Sequence, residues 1–144
     1  MTTDLVYLDT SAYLAVLLMD PRRNAFYDFL NKKSLCSSVL LVIEAERNLV
    51  RFSREKILSD EEYRRAMDCL EKDGEHFLLK ELSLDICLTG IFPPVRIPKS
   101  SDLVHLRTAR WFHENQGLAG FVTLDRDQAF CARDFGLPVL STDQ

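Results

Sequence analysis

The sequence is poor in the features that mark several large classes of protein. Its four cysteines, Cys36, Cys69, Cys87 and Cys131, lie far apart and make no CxxC pair or other zinc spacing. They read as reduced thiols of a cytoplasmic protein rather than as a disulfide framework. The longest apolar stretch near the N-terminus, AYLAVLLM, is only eight residues long, too short to span a bilayer. The opening MTTD has no basic start, so no secretory leader is expected. Positive charge is in deficit: 18 Lys and Arg against 22 Asp and Glu give a formal net charge of -4 and a pI near 5.4. The surface as a whole is therefore no trap for a polyanion, and a nucleic-acid substrate would have to be engaged by a local basic patch or by metal. Repeats, low-complexity tracts, linkers and Asn-Gly hairpin signals are also missing.

What is present suits one compact domain over residues 1–144, because 47% of 144 residues are hydrophobic and that length supports a single core. LVYL at 5–8 reads as a short buried strand, running into a helix over DTSAYLAVLLM that Thr10 or Ser11 could cap and Pro21 ends. Ala25, Phe26, Phe29 and Leu30 mark a second helix. After a short segment around LCSS, Ser37 or Ser38 could cap a third helix through VLLVIEAERNLVRF. Ser59-Asp60-Glu61-Glu62 signals the start of a fourth, through YRRAMDCLEKD, with Gly74 as its stop. HFLLKEL at 76–82 then reads as a strand and SLDICLTG as a brief helix stopped by Gly90. The loop PPVRIPKSS leads to a helix carrying Asp102 through His113, capped by its serines. Gly117 and Gly120 bracket the turn into the strand FVTL; helix DQAFCARDF, a stop at Gly136 and a last strand PVLS follow. Short apolar strands alternating with helices indicate an α/β sandwich whose central sheet is mainly parallel, with four to five short strands flanked by helices.

Four carboxylates stand at the edges of apolar runs: Asp9 after LVYL, Glu44 after VLLVI, Asp102 opening LVHL, and Asp125 after FVTL. An unpaired buried charge costs several kcal/mol or more, and no Lys or Arg lies inside those runs. A shared divalent cation is the economical partner, and hard oxygen ligands point to Mg2+ or Mn2+. In a parallel sheet, ligand sites gather where strands end and helices begin. Asp9 and Asp125 follow strands, Asp102 opens a helix, and Glu44 lies within a helix from which it could reach the same crevice. Such a site suits phosphodiester hydrolysis, in which a cation activates a water and neutralises phosphate charge.

The strings LVYLDTS, SVLLVIEAERNL, SSDLVHLRTA and FVTLDRDQAFCARDFGLPVL, in that order over nearly the whole chain, resemble the PIN-domain ribonucleases, and most of all the VapC-type toxins of toxin-antitoxin pairs. The resemblance implies a metal-dependent endoribonuclease that uses Asp9, Glu44, Asp102 and Asp125, with Asp9 and Asp102 as direct ligands. It implies Thr123 as a supporting hydroxyl and places Ser11 and His105 near the site, His105 packing or orienting rather than catalysing. It further implies a protein antitoxin and a homodimer, for which the AYLAVLLM face and the second helix offer apolar surface. Where the family pattern reads D-A-x-H-x-A-T-A, this chain reads DLVHLRTA, so the bulkier Leu103 and Arg107 bear on the shape of the groove.

The same residues admit plainer roles. Asp9 could cap the helix that follows it, Asp102 could be a first-turn acid favoured by the helix dipole, and Asp125 could start its own helix, leaving Asp127 as the ligand. Arg47, Arg51, Arg54, Lys99, Arg107, Arg110 and Arg126 could touch RNA phosphates or form a solvated face; Arg47, three residues from Glu44, is the most pointed of them. Trp111, Phe112, Phe26 and Phe29 follow helical spacing and read as core. The alternatives to a toxin are an RNA-processing or quality-control endonuclease of the same fold and a non-catalytic binding module. A phosphoacceptor domain is disfavoured, because DTS offers no second aspartate and PVLS is not followed by lysine.

Overall fold

A computed structural model describes residues 3–88 and 99–141. Its centre is a five-stranded, all-parallel sheet in the order β3-β2-β1-β4-β5, formed by β1 (Leu5–Leu8), β2 (Ser34–Ser38), β3 (Leu78–Lys80), β4 (Gly120–Thr123) and β5 (Val139–Ser141). The central strand β1 is buried at every position, which explains why LVYL is continuously apolar rather than alternating: helices cover both faces of the sheet. Val6 and Leu8 face one core with Ala12, Tyr13, Phe26, Leu41, Leu49, Leu70 and Val122. Leu5 and Tyr7 point the other way, among Leu106, Ala109, Phe112 and Phe121, as the two-residue period of a strand requires.

Helices α1 (Thr10–Leu17), α2 (Asn24–Leu30), α3 (Leu40–Arg54) and α4 (Asp60–His76) supply the first core, and α6 (Ser100–Gln116) and α7 (Arg126–Asp134) the second. The short α5 (Leu84–Leu88) rests against α6 through Arg107, whose guanidinium donates to the carbonyls of Ile86 and Cys87. No helix among the described residues is long and apolar enough to cross a membrane.

Several boundaries differ from expectation. Pro21 does not end α1, which stops at Leu17; it opens a 3-10 turn, Pro21–Arg23, capped by Asp20. The α1 cap is Asp9 rather than Thr10 or Ser11. Gly74 sits inside α4, whose packing and capping box at Ser59 and Glu62 outweigh the single glycine. The strand expected over 76–82 shrinks to Leu78–Lys80 because α4 takes His76. Gly120 is the first residue of β4 rather than part of the turn before it. At α3, Val39 holds the cap position without a side-chain bond, although the Ser38 hydroxyl accepts from the Leu40 N–H at 3.1 Å. Ser100 and Ser101 lie within α6, and the cap position is Lys99, again with no side-chain cap. Gly117 and Gly136 end α6 and α7 at φ +79°, a conformation that favours glycine. Gly90 and most of the proline-rich loop lie outside the described residues. Cys36 and Cys131 are buried, Cys69 and Cys87 exposed, and all four are free thiols.

Candidate active site

The sheet order places a crossover reversal between β1 and β4, since the chain steps from β1 toward β2 on one side and reaches β4 on the other. At such a switch point the loops beyond the strand ends diverge and leave a crevice. Asp9 follows β1 directly and Thr123 ends β4, so both stand at that crevice.

Asp9 is buried and fully engaged. Its Oδ1 accepts the Ala12 N–H at 3.0 Å, capping α1, and the Ser11 hydroxyl at 2.7 Å. Its Oδ2 accepts the Thr123 hydroxyl at 2.5 Å. Burial pushes the Asp9 carboxyl above the ordinary carboxylate range, opposed by the nearby His105 imidazole and by these hydrogen bonds. Thr123 Oγ1 also accepts the Asp125 N–H at 3.0 Å, and Ser11 Oγ accepts the Leu124 N–H at 3.0 Å. The two hydroxyls thus stitch the end of β4 to the start of α1.

Asp125 is exposed and caps α7, its Oδ1 accepting the N–H groups of Asp127 and Gln128. Asp127 is absent from the walls of the cleft that Asp125 lines. Asp102 occupies the first turn of α6, and Gln128 ties that turn to α7 by donating to the Asp102 carbonyl at 3.1 Å. Glu44, the fifth residue of α3, turns toward α1 and α6: its Oε1 is 2.8 Å from the Thr10 hydroxyl and 2.7 Å from His105 Nε2.

All four predicted carboxylates line one cleft of about 720 Å³, together with Ser11, Arg47, Lys99 and His105. Their electrostatics divide. Burial raises the Asp102 carboxyl, and the neighbouring Asp125 and Asp9 raise it further, only partly countered by Lys99. Burial acts on Glu44 in the same direction, yet hydrogen bonds from His105, Thr10 and Ser101 hold it below its ordinary value. Asp102 therefore feels the charge of both Asp125 and Asp9, while Glu44 is settled by protein donors.

Among the described residues, no three His, Cys, Asp or Glu side chains form a ready metal cage. The donor types still suit a hard divalent cation: carboxylates from four separate elements line one cleft, and two of them raise the third, Asp102. Asp9 is the most buried of these carboxylates and Asp125 the most accessible.

Of the basic residues, Arg47 and Lys99 reach the cleft. Arg107 is committed to α5, Arg110 pairs with Glu114 at 2.8 Å, and Arg51 lies over Phe52 while donating to Asn48. Phe26 and Phe112 are core, as their spacing suggested. Sequence reasoning missed three contributors. In the sequence Thr10 reads only as a cap and Tyr7 only as a strand residue, and the one signal for Gln128 is a polar residue beside Ala129, Cys131 and Ala132 on a buried helix face.

No family model matches this chain, and no curated protein matches it.

Proposed function

We propose that this chain is a PIN-like endoribonuclease that hydrolyses RNA phosphodiester bonds with Mg2+ or Mn2+. The observation that carries the reading is the assembly of Asp9, Glu44, Asp102 and Asp125 along one cleft, with Arg47 and Lys99 on its walls. Asp9, Asp102 and Asp125 would hold the cation, with Glu44 as a fourth carboxylate oriented by protein donors. Bound there, the cation would polarise the phosphate and lower the pKa of a water, the chemistry such ions supply in phosphoryl hydrolysis.

The chain's own groups do the rest. Asp9 is pinned by Ser11, Thr123 and the Ala12 N–H, so its carboxylate needs no reorganisation when substrate arrives. Arg47 and Lys99 offset the charge of the incoming backbone and hold it along the cleft. Leu14, Leu40 and Ile43 provide an apolar wall beside them, against which a ribose or base edge can rest. Leu103 and Arg107, the departures from the family pattern, do not line the cleft, so their bulk does not enter the acidic centre itself.

The test is cleavage of total cellular RNA with and without EDTA, with the cut ends mapped, using Asp102→Asn as control. Metal-dependent internal cuts that vanish in the variant support the proposal; equal cutting by the variant removes Asp102 from it. The caps made by Asp9 and Asp125 favour one competing reading, a binding module of the same fold in which these acids serve structure alone. RNA that binds but is never cut, at any Mg2+ or Mn2+ concentration, would select that module. A toxin role adds a protein antitoxin and a second copy of the chain as partners. A neighbouring short gene encoding a DNA-binding protein with a flexible tail favours that role over RNA processing, since such tails fold on their partners.

A further inference from the structure

A polar chain runs from the wall of the cleft into the core, and the proposed reaction draws only on its Glu44 end. The Ser38 N–H donates to the Tyr7 hydroxyl at 3.1 Å, Tyr7 Oη is 2.7 Å from His105 Nδ1, and His105 Nε2 is 2.7 Å from Glu44 Oε1 and 3.1 Å from Thr10 Oγ1. Tyr7 is fully buried and His105 is 2% exposed. Phe121 stacks on the Tyr7 ring at 5.4 Å, and His105 meets it edge-on at 5.8 Å. Three elements meet here: β1 supplies Tyr7, α6 supplies His105 and α3 supplies Glu44.

Donor and acceptor counting fixes one proton. Glu44 Oε1 already accepts the Thr10 hydroxyl at 2.8 Å and, as a carboxylate, can only accept. A lone pair on His105 Nε2 at 2.7 Å would set acceptor against acceptor, so Nε2 must carry hydrogen. Tyr7 can donate to a bare Nδ1 in the neutral ring or accept from a protonated one, and either way it holds the imidazole plane. The neutral tautomer with hydrogen on Nδ1 alone is excluded.

We infer that His105 is a positioning residue: clamped by Tyr7, it aims its Nε2–H at Glu44 and fixes that carboxylate in the cleft for the cation. The inference rests on the endoribonuclease reading and adds to it a residue that acts through Glu44. Outer partners of metal-ligating side chains typically contribute about 10- to 100-fold to metal affinity.

The measurement is Mn2+ affinity by titration, with no RNA present, together with ring 15N spectra of His105. His105→Leu, which removes the donor at similar bulk, is expected to weaken Mn2+ binding by about 10-fold or more. His105→Gln, whose amide can still donate to Glu44, should recover most of that loss. Tyr7→Phe leaves the ring in place and guards against a His105 variant that does not fold; it should weaken Mn2+ several-fold and broaden the His105 signals as the ring loses its clamp. In the parent, the spectra should show a protonated Nε2. Parental affinity in both His105→Leu and Tyr7→Phe, or a neutral ring protonated on Nδ1, overturns the inference while leaving the enzyme reading intact. A parent chain that binds no Mn2+ overturns the enzyme reading, and the inference with it.

Discussion

Replacing Asp9 separates its structural role from its chemical one. In Asp9→Ala the Ala12 N–H loses its cap and the buried Thr123 hydroxyl loses its acceptor. A lost cap costs about 1 kcal/mol and each stranded buried polar group about 1–3 kcal/mol, so a net loss of about 2–4 kcal/mol is expected after relief of the buried charge. At about 3 °C per kcal/mol for a domain of this size, Tm should fall by about 6–12 °C. Asp9→Asn behaves differently. Asparagine caps as well as aspartate, so its Oδ1 keeps the Ala12 N–H and the Ser11 hydroxyl. Its amide NH2 then faces Thr123, whose oxygen can accept it while turning its own proton to Ser11 Oγ, 3.3 Å away. Stability should stay within about 1 kcal/mol of the parent, since no partner is stranded and a buried charge is removed. Both variants should lose RNA cleavage. Thermal denaturation by circular dichroism and a cleavage assay in Mg2+ check the pair. A fall in Tm for Asp9→Asn as large as for Asp9→Ala would refute the rewiring argument, and parental cleavage by Asp9→Asn would refute the catalytic assignment.

Asp102 contributes to the pH dependence of stability: burial and its acidic neighbours hold its carboxyl above the ordinary carboxylate range, so the folded state takes up its proton more readily than the unfolded chain. Its contribution to stability therefore falls as pH rises from its ordinary value through its raised folded-state value, and remains low beyond it. Asp102→Asn should raise Tm at pH 7 and lose that advantage below pH 4; equal differences in melting scans at the two pH values would contradict the repulsion described for the cleft. Gly120→Ala should destabilise by about 1–3 kcal/mol, because a Cβ there would meet the Phe29 ring at 3.0 Å; an unchanged urea midpoint would show that the ring yields freely. Ser59→Ala, which opens the capping box of α4, should cost about 1 kcal/mol and leave cleavage intact, since α4 does not line the cleft; lost cleavage in a folded Ser59→Ala protein would reveal a coupling not described above.

The sheet was legible because its information is local. LVYL and FVTL are short apolar runs followed by helix signals, and that pattern suits parallel strands covered on both faces. The start of α4 was legible for the same reason, because Ser59 and Glu62 make a reciprocal cap within four residues. The α1 cap was not: Asp9, Thr10 and Ser11 are all capping types, and local preference cannot choose among them. The choice is made from a distance. Thr10 is drawn to Glu44 and His105, Ser11 to Asp9 and Leu124, and Asp9 is left to cap. The four acids could be picked out one by one, because each breaks an apolar run. Gln128 and Tyr7 could not, since their partners are Asp102 and the Ser38–His105 pair, far away in the chain.

The central claim is that the acids of the cleft share a divalent cation, and anomalous scattering from a crystal equilibrated with Mn2+ measures it most directly. A manganese peak bounded by Asp9, Asp102 and Asp125, with Glu44 at its edge, is the predicted result. Saturating Mn2+ with no peak in that cleft, or with peaks only at unrelated surface carboxylates, would contradict the claim.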